Sequence, residues 1–305
     1  MPLYFGGEKR KITFNNESSG VHTYFAFTVT YYDSDGVTVL KTEKLPFGSM
    51  PSYTPTKDGM IFEGWTTELV AVTGNASYIA KWKERPNFTT ASWAEIAEIS
   101  ESGQAAEYFS VGDTRNITFN NNGETYDVQF RIVGFNHDMT EDGGTAGISL
   151  MSVYSLDYTT IGATTVSWLN KYIGWSGSKF RDTLNSVTIN MLPSDLIQHI
   201  KSVQKISAAA GSPTMLETTV DKLWVPSVTE YGLSHSTTAA NQGVPYSSPS
   251  RSPYVQNKGT IGTAYEYQDT RSSSNWASSM CVALNPNLAA TYNGCTGNVK
   301  VGFCI

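Results

Sequence analysis

Between Phe27 and Glu43 the chain alternates with a period of two. Phe27, Val29 and Tyr31 are separated by threonines, Asp33-Ser34-Asp35-Gly36 interrupts, and Val37-Thr-Val-Leu-Lys-Thr-Glu43 returns. That spacing suits a strand with one buried face and does not build the apolar stripe of a helix. Asp-Gly between two β-prone runs is a strong hairpin signal. Lys57-Asp58-Gly59 then turns into Met60-Ile61-Phe62, Gly64-Trp65 closes that strand, Ser77-Tyr-Ile-Ala-Lys-Trp82 alternates again, and Pro86 ends the pattern. Residues 26–85 are therefore expected to form a small strand-built module. Trp65 and Trp82 are expected in its core, because so small a unit needs large side chains to build one.

The rest of the chain agrees with this β character. Only 16% of the 305 residues are charged, whereas 40% are hydrophobic. Exposed helices depend on Glu, Lys and Arg; strands joined by Ser, Thr, Asn and Gly turns do not. A net charge of −6 provides no basic field for phosphate, so nucleic acid is not an expected partner. No run of about 18 apolar residues is present, so no membrane insertion is expected. The first residues lack the apolar core and cleavage site of a signal peptide, and export by that route is not expected. The three cysteines, Cys281, Cys295 and Cys304, lack paired metal spacing. Buried thiols are the default reading, with one bridge left open.

Residues 1–25 read as an N-terminal arm. Leu3-Tyr-Phe5 and Lys11-Ile-Thr-Phe14 suggest two short strands about Gly6-Gly7. Residues 86–105 read as a helical linker opening the next domain: Ser92-Trp-Ala-Glu95 is a capping box, Trp93, Ile96 and Ile99 share a face, and Ser102-Gly103 stops the helix. Residues 106–305 read as one larger α+β domain. Its strands are expected at 115–119, 126–134, 147–152, 219–226, 278–284 and 299–305. Helices are expected near Ser178–Leu184 and from Pro193 through Leu196, Ile200 and Val203. Residues 233–275 are rich in Ser, Pro, Gly, Asn and Tyr and read as loop.

Two family resemblances accompany these readings. Thr28-Val-Thr-Tyr-Tyr-Asp33, Asp35-Gly36, Pro46-Phe-Gly48, Pro55-Thr-Lys-Asp-Gly-Met-Ile-Phe-Glu-Gly-Trp65 and Tyr78-Ile-Ala-Lys-Trp82 resemble the Listeria–Bacteroides repeat, the B-repeat of internalin B. The resemblance implies a β-grasp-like spacer or adhesion unit without catalytic residues. Ser92-Trp-Ala-Glu-Ile-Ala-Glu98, Gly134-Phe-Asn-His-Asp138, Ser178-Lys-Phe-Arg-Asp-Thr-Leu-Asn185, Asp221-Lys-Leu-Trp-Val-Pro226 and Val301-Gly-Phe-Cys-Ile305 resemble a phage-virion domain of unknown function. That likeness implies a C-type-lectin-like layout over about 90–305.

Signals for chemistry are sparse. None of His22, His137, His199 and His235 sits in a nucleophile-elbow setting, and no phosphate loop occurs. The loop Asn136-His-Asp138-Met-Thr-Glu141-Asp142 carries oxygen ligands but not EF-hand spacing. Asp138 and Asp142 are thus Ca²⁺ candidates, set against a solvated, capped turn, and no cofactor is expected. Asn285-Pro286-Asn287 is only faintly like the sugar motif of C-type lectins. Trp175 and Arg181, six apart, do not share a helical face; both read as structural, with Arg181 paired to a carboxylate. Large aromatics on a Ser/Gly/Asn background suit recognition. The candidate ligand-binding residues are accordingly Tyr246, Tyr254, Tyr265, Tyr267 and Trp276.

The fold expected is mainly β with an α+β C-terminal domain: a small β-grasp-like module followed by a larger C-type-lectin-like domain. The function expected is that of a non-enzymatic phage virion structural protein, a capsid- or tail-attached fibre or decoration protein with weak adhesion to a host-surface glycan or protein. It would be assembled in the host cytoplasm and released by lysis, dock to other virion proteins through residues 1–25, and form a homo-oligomer. The alternatives are a purely particle-stabilising protein, a bacterial cell-surface adhesin, and a formylglycine-generating-type enzyme using Cys281 or Cys304.

Overall fold

The protein is represented by a computed structural model that describes residues 4–5, 8–9, 26–163, 174–210, 212, 215–234, 241–249, 254–258, 260–265, 268–273, 281–284, 290–293 and 298–305, with backbone alone for 4–9 and, Lys258 apart, for 254–293. The fold is mainly β. The chain divides into two compact units, Met1–Arg85 and Pro86–Ile305.

In the first unit β1 (Tyr4–Phe5) pairs with β2 (Glu8–Lys9) in register Tyr4↔Lys9. The return strand therefore falls at Glu8–Lys9, as a two-residue connection requires; Lys11–Phe14 lie outside the described residues. β3 (Ala26–Tyr32), β4 (Val39–Pro46), β5 (Met60–Trp65) and β6 (Ala76–Glu84) form one sheet in the order β4-β3-β6-β5. Its central pair, β3 and β6, is parallel, and both outer pairs are antiparallel. The turn between β3 and β4 closes through the Gly36 amide on the Asp33 carbonyl at 2.9 Å. Asp35 accepts the Val37 and Thr38 amides, and Gly36 takes φ +69°, where a side chain is strained. Strict alternation would put Phe62 and Trp65 on opposite faces. A register shift in β5 between Phe62 and Gly64 resets the pleat, so their rings meet with centroids 5.0 Å apart. Val29, Tyr31, Trp65, Val72, Tyr78 and Ala80 are buried. Trp82 packs against them and donates its indole N–H to Asp33 at 2.6 Å.

The second unit opens with α1 (Trp93–Glu101), whose capping box is present in both directions. Trp93, Ile96, Ala97 and Ile99 enter the main core. Residues 86–105 thus open the second unit, and their apolar face is buried in its core. After α2 (Ala105–Tyr108), β7 (Thr114–Asn121) and β8 (Glu124–Phe135) form a long hairpin. Asn122 and Gly123 take positive φ at its tip, as a type I′ turn demands. β9 (Ile148–Ser152) is buried along its whole length. Farther along come β10 (Ser155–Leu156), α3 (Lys179–Ser186), a 3-10 turn at Thr188–Met191, α4 (Ser194–Ile197), β11 (Val203–Ala208), β12 (Leu216–Asp221) and β13 (Leu223–Trp224). β14 (Tyr254–Asn257), β15 (Thr260–Tyr265), β16 (Gln268–Ser273), β17 (Cys281–Leu284), β18 (Ala290–Asn293) and β19 (Gly302–Cys304) complete the order. The central sheet runs β13-β19-β9-β8-β7, and β11–β12 is a separate antiparallel ribbon.

Three expectations change. The helix from Pro193 stops at Ile197, because Val203 is claimed by the β11–β12 ladder and Lys201 by a bridge to Cys304. The strand at 219–226 is broken at Lys222, where the Asn185 side-chain oxygen accepts both the Lys222 and Leu223 amides. Residues 254–273 are strand-bearing rather than loop; Tyr254, Val255, Thr260, Ile261, Thr263 and Thr270 are residues that favour strands. Among the described residues, no helix is long and apolar enough to cross a membrane.

Candidate functional site

The loop between β8 and β9 serves two places at once. Outside, it forms one wall of an open groove of about 650 Å³. Asp142 caps this wall by accepting the Thr140 hydroxyl and the Gly144 amide, while Gly143 makes the turn at φ +90°. The facing wall is the end of α1, and Lys201 and Ser202 lie alongside. Asn136 ties the walls together, its side-chain N–H donating to the Gly103 carbonyl at 3.1 Å, and Lys201 meets Glu101 at 2.6 Å. The groove thus offers carboxylate, amide, hydroxyl and ammonium groups. Its described lining has no aromatic ring, histidine or cysteine. Such a set can hydrogen-bond a polyhydroxylated or peptidic ligand, and it presents no nucleophile beside a base.

Inside, the same loop delivers Asp138 to a buried charge cluster. Lys205 is 1% exposed, since it occupies an inward position of β11 between Val203 and Ser207. Its Nζ donates to Asp138 Oδ1 at 2.5 Å, Tyr246 Oη at 3.0 Å and Glu230 Oε1 at 3.2 Å. It also stands 3.5 Å from the centroid of the Trp224 ring, a close cation–π contact. All three protons of the ammonium are therefore used. Asp138 Oδ2 accepts Ser149 Oγ at 2.5 Å and Tyr246 Oη at 2.8 Å, with Cys304 Sγ at 3.4 Å. Glu230 is aimed by a reciprocal cap: its Oε2 accepts the Ser227 amide at 2.9 Å while Ser227 Oγ accepts the Glu230 amide at 3.1 Å. A side chain on Gly243 would sit 2.9 Å from Glu230 Cγ, so the carboxylate stem has little room to move.

Burial opposes the charge on Asp138, but Lys205 and the surrounding donors outweigh it and hold the carboxyl well below its ordinary range. Burial, reinforced by Asp138 and Glu230, pushes the Tyr246 phenol far up, and burial does the same to the Cys304 thiol. His137 stacks on Tyr246 with centroids 4.1 Å apart. Its Nδ1 lies 3.6 Å from Asp138 Oδ2, an electrostatic contact longer than a hydrogen bond. Burial lowers its affinity for a proton, yet the contact with Asp138 raises it more.

The candidate residues are thus dispersed. Tyr246 is 4% exposed and offers no surface to a ligand; its hydroxyl is held inside by the ion pair. Asp138 is likewise buried rather than solvated, because Lys205 supplies the counter-charge a metal would have supplied. Asp142 is exposed and caps its own turn. Tyr254 and Tyr265 face each other as backbone partners of β14 and β15. Tyr267, Trp276, Cys295 and Asn285–Asn287 lie outside the described residues. Cys304 is a free, buried thiol with a raised pKa, the opposite of a reactive one. Among the described residues no cluster of three His, Cys, Asp or Glu side chains could hold a metal ion. Trp175 and Arg181 do converge: both bind Asp221, at 2.9 and 2.6 Å. Lys205, Glu230 and Trp224 were not legible as a site, although a lysine at an inward position of an alternating strand and Ser227-Val-Thr-Glu230 as a capping box were signals for two of them.

No family model, curated protein or solved structure matches this chain.

Proposed function

We propose that the chain is a non-enzymatic structural component of a virion that holds out a weak adhesion domain, with residues 1–25 as the docking arm, residues 26–85 as the spacer and residues 106–305 as the binding domain. The observation that carries this reading is the open groove on the second unit, lined by Glu101, Asn136, Asp142 and Lys201. Its groups donate and accept hydrogen bonds in an open, wet setting, where each contact is worth little and avidity supplies the rest. The rigid backing is the central sheet, and the groove loop is pinned from beneath by Asp138.

The test is a glycan array and a whole-cell pull-down with the full chain, displayed multivalently. Binding is expected, with loss on replacing Asn136 and Asp142 by alanine together. Retention of binding in the presence of a chelator is expected, since Asp138 is ion-paired and Asp142 caps a turn. Absence of binding at any valency would overturn the adhesion half and leave a particle-stabilising role.

A further inference from the structure

We propose that Lys205 and Asp138 condense into an intramolecular isopeptide bond, with Glu230 relaying the proton, so that the second unit is covalently cross-linked through its core. The proposal goes beyond the adhesion reading and does not depend on it.

Three observations carry it. First, the reacting groups touch: Lys205 Nζ lies 2.5 Å from Asp138 Oδ1, and the two residues are 67 apart in sequence. Held so, the amine and carboxyl react as one molecule rather than two, and a large effective concentration replaces the entropy of encounter. Second, a further carboxylate is present on the same nitrogen. Glu230 Oε1 is 3.2 Å from Nζ and is oriented by Ser227, in position to act as base and then as acid. Third, the site excludes bulk water. Lys205, Asp138 and Glu230 are 1%, 5% and 2% exposed, and the Trp224 ring covers the nitrogen. Burial penalises an ammonium and a carboxylate far more than a neutral amide.

The balance is simple. One ammonium proton passes to Asp138 Oδ1, leaving a neutral amine that still carries two protons. Nζ attacks Asp138 Cγ, and the new N–C bond forms while Ser149 Oγ and Tyr246 Oη stabilise the charge that grows on Oδ2 and Glu230 Oε1 takes a second proton from the nitrogen. The proton on Glu230 returns to the departing Oδ1, the C–O bond breaks, and water leaves. The amide keeps the third proton and donates it to Glu230, which ends as it began. No oxidant, metal or co-substrate is consumed. Each chain reacts once, so the step makes a bond without making the protein an enzyme.

The full chain, denatured and weighed intact, is expected to be lighter than its sequence by one water. Trypsin is expected to release segment 132–171 joined to segment 202–222, because acylated Lys205 is no longer cleaved. Glu230→Gln, which keeps the shape of the side chain, is expected to restore the sequence mass and cleavage after Lys205. Lys205→Arg is expected to do the same. A folded wild-type chain with its full sequence mass overturns the proposal, as does a water loss mapped to another position such as an Asp-Gly turn. Loss of host binding with the cross-link intact would count against the adhesion reading alone.

Discussion

Among the described residues, the buried side-chain polar atoms of the first unit sit at the tips of aromatic rings, whereas the second unit buries whole charged side chains, Lys205 and Lys300 with Asp138, Asp221 and Glu230. Tyr31 packs within 5.0 Å of both Tyr53 and Trp65 and sends its hydroxyl outward to Glu43 at 2.8 Å. A small sheet can be held this way, since each ring contributes apolar area and its polar tip reaches a partner near the surface. The second unit has a large apolar core of its own, from Trp93 to Ile305. It can tolerate an ionic cluster that adds little net stability but fixes which groups meet. Size thus decides which kind of core a unit can carry.

Trp65→Ala separates the two units most severely. Deleting a buried tryptophan costs about 3–5 kcal/mol, and a core this small rarely supplies more than about 3–5 kcal/mol in total. The first unit is expected to unfold while the second keeps its own transition in a two-probe urea melt. Lys205→Met comes next. It leaves Asp138 and Glu230 buried with neither an ion pair nor a cross-link to Lys205 and is expected to cost the second unit about 3–5 kcal/mol or more, read as a shifted urea midpoint with an unchanged first unit. Gly302→Ala is expected to cost about 1–3 kcal/mol, because the added carbon would lie 2.3 Å from the Trp224 ring that covers Lys205. The smallest effect is acid sensitivity in the first unit. Asp33 is held down to about 2 by its hydrogen bond from Lys57, the Ser34 amide and Trp82. A carboxyl whose pKa is lower folded than unfolded stabilises the fold above its unfolded value, and that contribution disappears as pH falls through about 2. An NMR titration of Asp33 should show the low midpoint, and Lys57→Met should raise it.

Much of the backbone was legible because its signals are local. The hairpin at Asp33–Gly36, the cap at Ser92 and the turn at Asn120–Gly123 each involve a few adjacent residues whose conformational preferences decide the outcome. The helix expected from Pro193 to Val203 shows where such reasoning stops. Leu196 and Ile200 are both buried as the periodicity implies, but Val203 pairs with Asp221 in a ladder that no local preference announces. The same holds for the candidate site. Tyr246 has the composition of a recognition residue, and only the 108-residue separation between it and Asp138 being closed in space turns it into an interior group.

Local sequence was enough to make the chain mainly β, to end a small strand-built unit near Pro86, and to set a capped helix just beyond it. These depend on period, turn chemistry and caps, all of which act within a few residues. The tertiary structure alone decided where the charges went. Asp138, Lys205 and Glu230 come from a loop, a strand and a turn far apart in the chain, and their meeting depends on how the sheet and ribbon pack. A buried charge is tolerated only where its partners converge, so its fate is set by contacts that no short stretch of sequence contains.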